Sequence, residues 1–319
     1  HLSRTISVLI ATLALTSASA GSSPQPEQAQ RAGADATMES LVTTEWLSDH
    51  LDDPDQVILD CTVLIEQNED GSLRAVSGRS SYEGGHIPSA GFADLMIELS
   101  DAESPLKYAM PAPEKFCAAM GALGVGDDSR VVLYDANGSV WAARVWWMLR
   151  WVGFDRAALL DGGLGAWKAE DRPLSAEPAD RPAKKSTAAP RPELIADRDE
   201  VFAAINDSSV ELIDALPEAS FRGEMAMYGR PGHIPTASNK PFTALIDESG
   251  RYRPDDELAA LFDGDRETRS ITYCGGGIAA SSTAFVMTRL GFTNVAVYTA
   301  SLQEWAADPA NPMVVEEEQ

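Results

Sequence analysis

The residues best suited to chemistry are Cys274-Gly275-Gly276-Gly277-Ile278. They follow a short apolar run, Ser270-Ile271-Thr272-Tyr273, and precede a helical pattern from about Ala279 to Leu290. A cysteine on a turn between a strand and a helix stands where open α/β sheets bind ligands. Three glycines allow successive N–H groups to turn inward and form an anion-binding concavity. The start of the helix adds a positive partial charge. Both effects favour a thiolate or another sulfur anion, which makes the thiol a nucleophile without a neighbouring histidine. Cys274 is therefore the candidate catalytic residue, with Gly275, Gly276, Gly277 and Ile278 as the binding turn. A phosphatase loop of the Cys-x5-Arg kind is excluded, because Ala280 stands where the arginine would be and phosphoryl transfer needs that charge.

The chain holds three cysteines, too few and too odd a number for a disulfide framework. Cys61 follows the strand-like Val57-Ile58-Leu59-Asp60, and Cys117 lies in a helical apolar stretch, so both read as core residues.

The elements that must position Cys274 occur twice. Gly-His-Ile-Pro-small-Ala appears at Gly85 to Ala90 and again at Gly232 to Ala237, each time after a strand ending in aspartate, Asp60 or Asp214. A later block repeats as well: Val131-Val132-Leu133-Tyr134-Asp135 in one half corresponds to Ile271-Thr272-Tyr273-Cys274 in the other. Gly153 and Trp167 then reappear as Gly291 and Trp305. Such self-similarity implies two homologous domains. Their β-rich runs alternate with helical ones, which indicates an α/β fold whose mainly parallel sheets are flanked by helices on both faces. The first-half loop carries Asp135-Ala136-Asn137-Gly138 and no cysteine. The expected organisation is a domain lacking the thiol at 39–175, a linker rich in Pro, Ala and Lys at 176–192, and a cysteine-bearing domain at 193–319. Trp141, Trp146, Trp147 and Trp151 fall at helical spacing and read as packing residues.

These motifs, with Arg144-Val145-Trp146-Trp147-Met148 and Leu160-Asp161-Gly162-Gly163, resemble the tandem-domain rhodaneses, the thiosulfate and 3-mercaptopyruvate sulfurtransferases, over nearly the whole mature chain. The resemblance implies two tandem rhodanese-like domains and a ping-pong cycle. Cys274 would take sulfane sulfur from a small anionic donor, hold it as a persulfide, and pass it to a thiol or cyanide. No metal and no organic cofactor is implied. The contrasting expectation is a non-catalytic binding or sulfur-relay module on the same fold.

Departures from the family matter. Gly276 stands where the mercaptopyruvate enzymes carry a Ser or Thr hydroxyl, and no Arg or Lys follows the cysteine as in the thiosulfate enzymes. The uncharged loop points to mercaptopyruvate over the thiosulfate dianion. A substrate-binding arginine of the family falls on Ser220, with Arg222 and Arg230 as the nearby cations that could replace it; Thr299-Ala300 replaces a usual Asp-Gly. His86 matches a histidine of the proposed mercaptopyruvate relay and is carried as a supporting residue, although the turn chemistry of His86 and His233 favours a structural role.

Net charge is -24, which disfavours nucleic acid and anionic lipid as partners and demands a local cation wherever a small anion binds. At the N-terminus, Arg4, an apolar run from Ile6 to Leu15 and Ala18-Ser19-Ala20 form the three-part pattern of a signal peptide over 1–20. A flexible mature N-terminus over 21–38 follows. The run is too short to span a bilayer, so the expectation is an exported, periplasmic or secreted protein with no stable membrane insertion after cleavage.

Overall fold

The computed structural model describes residues 38–316. The proposed signal peptide, and all but the last residue of the flexible segment, lie outside the described residues. Within them, no helix is long and apolar enough to cross a membrane.

The first half contains strands β1 (Leu41–Val42), β2 (Gln56–Asp60), β3 (Val63–Gln67), β4 (Leu73–Ser77), β5 (Gly91–Phe92), β6 (Arg130–Tyr134) and β7 (Ala157–Leu160). Its helices are α1 (Thr44–Asp49), α2 (Arg79–Gly84), α3 (Pro113–Ala122), α4 (Val140–Trp151) and α5 (Gly163–Ala169). The second half contains β8 (Ile195–Ala196), β9 (Val210–Asp214), β10 (Ser238–Asn239), β11 (Arg269–Tyr273) and β12 (Val295–Tyr298). Its helices are α6 (Arg198–Ala204), α7 (Glu218–Arg222), α8 (Asp255–Ala259), α9 (Ile278–Arg289) and α10 (Ser301–Trp305).

Both sheets are parallel and share one strand order: β1-β7-β6-β2-β5 in the first half and β8-β12-β11-β9-β10 in the second. The antiparallel β3–β4 hairpin belongs to the first half. Alternation along the strands explains the layers. Ile58, Val132 and Ala158 pack with Leu47 of α1 and Trp167 of α5. Their neighbours Val57, Leu59, Val131 and Leu133 pack on the other face with Phe116 of α3 and residues of α4. A sheet buried on both faces is what its near-continuous apolar strands require. The α/β expectation of two homologous domains holds.

The repeated Gly-His-Ile-Pro turn is a clamp. His86 and Ser175 exchange backbone hydrogen bonds of 2.9 Å, as do His233 and Val314, so each turn pins the segment that follows its domain's last helix. The next residue's N–H reaches a strand tyrosine in both halves: Ile87 donates to Tyr134 Oη (3.2 Å) and Ile234 to Tyr273 Oη (3.1 Å). The connection at 176–192 is strapped to the first domain. Lys184 N–H donates to Gly121 O, Ala189 N–H to Val152 O and Arg191 N–H to Trp151 O, at 2.9, 2.8 and 2.7 Å. Gly121 is needed there, since a Cβ would stand 2.4 Å from Lys184 O.

The two domains meet through α4 and α9, the helices that follow the equivalent loops. Trp146 meets Phe285 edge to face, with ring centroids 4.9 Å apart. Trp146 and Trp147 are buried, as their helical spacing predicts.

Candidate active site

Cys274 leaves the end of β11 and its loop is held from below by α10. Cys274 N–H donates to Ser301 Oγ (3.0 Å), Leu302 N–H to Cys274 O (3.0 Å), and Gln303 N–H to Gly275 O (2.9 Å). Gly277 caps α9 in the left-handed region at φ 80°, and a Cβ there would stand 2.7 Å from Thr299 O, so no other residue fits without strain. This turn aims the Gly277 N–H at Cys274 Sγ, 3.2 Å away. Among the described residues the N–H groups of Gly275 and Gly276 have no acceptor. The loop therefore sets one amide on the sulfur and leaves two more beside it without an acceptor, the makings of an anion-binding turn.

The equivalent turn of the first domain is already filled. The Asp135 carboxylate accepts four backbone N–H bonds, from Asn137 (2.7 Å), Ser139 (3.0 Å), Trp141 (2.9 Å) and Ala142 (2.9 Å). Burial pushes the Asp135 carboxyl up while the four amides pull it down.

The cation demanded by the acidic composition comes from the first domain. Arg144 on α4 is fully buried. Its Nη2 donates to Tyr108 O (2.9 Å) and reaches Met110 Sδ (3.2 Å), while Nε and Nη1 have no partner among the described residues. Nη1 lies 3.0 Å from where a Gly277 Cβ would stand, so the guanidinium faces the Cys274 loop. Burial lowers its pKa to about 10, and the nearby Cys274 sulfur opposes that shift. A buried, half-partnered guanidinium is costly; an anion bound on the loop would relieve that cost.

Aromatic side chains close the site, and Cys274 is only 2% exposed. Tyr228, from the segment after α7, lies directly on Gly275: a Cβ there would be 1.8 Å from its Cζ. Tyr108 borders Gly276 from the first domain, and its ring meets Trp141 edge to face at 5.4 Å. Gln303 ties the domains across this rim, accepting from Lys107 N–H (3.0 Å) and donating to Lys107 O (2.9 Å). Two open surface clefts, one beside Trp147 and Phe292 and one beside Cys117 and Lys184, do not include Cys274. Neither brings together groups suited to catalysis.

The structure gives the sequence-nominated cations other partners. Arg222 is exposed and pairs with Glu218 and with Glu316 (3.6 Å). Arg230 grips the C-terminal segment through the carbonyls of Ala306 (3.0 Å), Trp305 (3.4 Å), Asp308 (2.9 Å) and Asn311 (2.9 Å). The guanidinium that faces Cys274 is Arg144 instead. His86 is buried and stacked on Tyr82, with its ring nitrogens at Tyr82 O (2.8 Å) and Glu177 O (3.0 Å). Both nitrogens are thus spent on holding the first domain. Arg144, Tyr108 and Tyr228 were not nominated from the sequence. Only Arg144 left a signal there, as a charge in the middle of a helix whose neighbouring residues are apolar.

The rhodanese-like domain family model matches twice, at residues 43–170 and 197–308. The chain belongs to the rhodanese family. This rhodanese is 35% identical over 277 residues to 3-mercaptopyruvate sulfurtransferase of Escherichia coli (strain K12), covering 84% of this chain and 95% of that one. It is 34% identical over 306 residues to thiosulfate/3-mercaptopyruvate sulfurtransferase 2 of Arabidopsis thaliana, covering 88% and 87%. Among solved structures, the rhodanese resembles the 3-mercaptopyruvate sulfotransferase SseA from Escherichia coli, with a TM-score of 0.73 and 34% identity over 83% of this chain and 99% of that one.

Proposed function

We propose that this rhodanese is a sulfurtransferase that moves sulfane sulfur from thiosulfate or 3-mercaptopyruvate, through a persulfide on Cys274, to a thiol or cyanide. One observation carries the assignment of Cys274. Its sulfur accepts the Gly277 N–H on a glycine turn and is faced by a buried guanidinium whose Nε and Nη1 have no partner among the described residues. That environment stabilises an anion on sulfur before and after transfer. The thiolate attacks the donor's outer sulfur, a new S–S bond forms, and sulfite or the enolate of pyruvate leaves. A nucleophilic acceptor then takes the outer sulfur and restores the thiolate. The amides of Gly275, Gly276 and Gly277 bind the charge, and Arg144 balances it from the other domain.

Among donors we favour mercaptopyruvate. The loop carries no side-chain charge, and a single guanidinium matches a monoanion better than a dianion. The similarity to 3-mercaptopyruvate sulfurtransferases supports this choice. The basic, apolar and small-residue pattern of 1–20 supports export to the periplasm or beyond. Sequencing the N-terminus of protein recovered from intact cells checks that part, with a start after Ala20 expected.

The purified chain, given either donor and cyanide, should form thiocyanate, and Cys274→Ser should abolish it. Equal background rates in both proteins would refute the enzyme. A kcat/KM for thiosulfate well above that for mercaptopyruvate would refute the donor preference alone.

A further inference from the structure

The mercaptopyruvate half-reaction has a requirement that the Cys274 loop does not meet. When the C3–S bond of the donor breaks, its electron pair is left on carbon, and C3 needs a proton to become the methyl group of pyruvate. Gly275, Gly276 and Gly277 offer no side-chain acid. The ring nitrogens of His86 are taken up by the carbonyls of Tyr82 and Glu177.

The side chain laid against the loop is Tyr228. A Cβ on Gly275 would stand 1.8 Å from its Cζ and 1.9 Å from its Oη, so the phenolic C–O bond rests on the residue next to the nucleophile. The Tyr228 hydroxyl has no hydrogen-bond partner among the described residues. Burial holds its pKa above the usual tyrosine range, with Cys274 and Tyr108 adding to the shift. It is therefore a neutral acid that keeps its proton until a strong base forms beside it.

We propose that the Tyr228 hydroxyl is a catalytic proton carrier, moving the donor's thiol proton to the carbon that becomes pyruvate's methyl group. The proposal rests on the reading that Cys274 accepts sulfur from mercaptopyruvate. The Cys274 thiolate bonds to the donor sulfur as the C3–S bond breaks, and the enolate forms. Tyr228 gives its proton to C3, and the resulting phenolate takes the proton from the outer sulfur of the new persulfide. Thiolate and mercaptopyruvate thus become persulfide anion and pyruvate, with Tyr228 unchanged and no oxidant or reductant consumed. The persulfide anion is left facing Arg144 and the loop amides.

Thiosulfate makes no such demand, because sulfite departs as a stable anion with no carbon to protonate. The test compares donors in the full chain with cyanide as acceptor. Tyr228→Phe keeps the ring against Gly275 and removes only the hydroxyl. It should lower kcat with mercaptopyruvate by about 10²-fold, and lower the ratio of mercaptopyruvate to thiosulfate turnover by a similar factor. Glutathione persulfide replaces thiosulfate as the reference donor if thiosulfate turns over poorly. In the Tyr228→Phe background, Gly276→Ser puts a hydroxyl back on the loop and should recover part of the mercaptopyruvate rate. A parallel fall with both donors, or no fall with either, overturns the proposal alone. A wild-type chain that consumes neither donor overturns the sulfurtransferase reading and this proposal with it.

Discussion

Asp135 and Cys274 end equivalent strands and open equivalent turns, yet one turn is full and the other is available. In the first domain a fixed carboxylate takes four amide bonds, and the loop is finished as a piece of structure. In the second domain a sulfur atom takes one, from Gly277, while the amides of Gly275 and Gly276 have no acceptor among the described residues. The Ser139 amide that binds Asp135 corresponds to the Gly277 amide that binds the sulfur, as both residues cap the following helix in left-handed geometry. The fold thus builds an anion site twice. The half that binds its own anion donates its helix cation, Arg144, to the half that does not.

Removing the donated cation should produce the largest contrast. Arg144→Met is expected to lower kcat/KM about 10²-fold or more, the usual effect of deleting one charge stabiliser. Thermal or urea unfolding should show stability unchanged or raised by about 1–2 kcal/mol, since a half-partnered buried charge has been replaced by an apolar chain. A stability loss with activity intact would make Arg144 a structural residue.

Asp135→Asn tests the other half. Its amide nitrogen must face at least one N–H that the carboxylate satisfied, so stability should fall by about 2–3 kcal/mol, read from urea midpoints. The donor chemistry at Cys274 should suffer less than in Arg144→Met. If Asp135→Asn leaves stability unchanged, the first turn is not an anion site.

A smaller effect separates the two strand-end aspartates. Asp60 and Asp214 are both buried and both raised by burial, and each accepts a backbone N–H two residues on at 2.8 Å. Asp214 is pushed up to about 6, and its Oδ2 is unpartnered among the described residues. The native state therefore binds this proton more tightly than the unfolded chain does. The stability it contributes is fully present below about pH 4 and is lost as the pH rises through about 6. The loss should be on the order of 3 kcal/mol at most, and Asp214→Asn should flatten the stability profile over that window. A profile unchanged by the substitution would contradict the assignment.

Much of this was legible in the chain because a duplicated fold writes its register twice. The paired Gly-His-Ile-Pro turns, the aspartate-ending strands and the two loops are enough to locate both sheets and Cys274. What the sequence hid was contact between halves. Arg144 lies 130 positions from Cys274 in the numbering and meets the loop only because α4 and α9 pack together. Arg222 and Arg230 lie closer to Cys274 in sequence, but Glu218, Glu316 and the C-terminal carbonyls hold them elsewhere. Tyr228 gave no pattern at all. Its trace is Gly275, the glycine it presses on, whose place in an anion-binding turn gives no hint of a ring packed against it. The Pro- and Ala-rich connection at 176–192 likewise gave no sign of the backbone bonds that strap it down.

Intact-protein and peptide mass spectrometry after donor exposure puts the anion-site account to its most direct test. A single added sulfur should map to the peptide bearing Cys274, with none on Cys61 or Cys117, whose thiols burial pushes up, and it should vanish on treatment with cyanide. No added sulfur on Cys274, or sulfur distributed over all three cysteines, would contradict the claim that this turn is built to hold charge on sulfur.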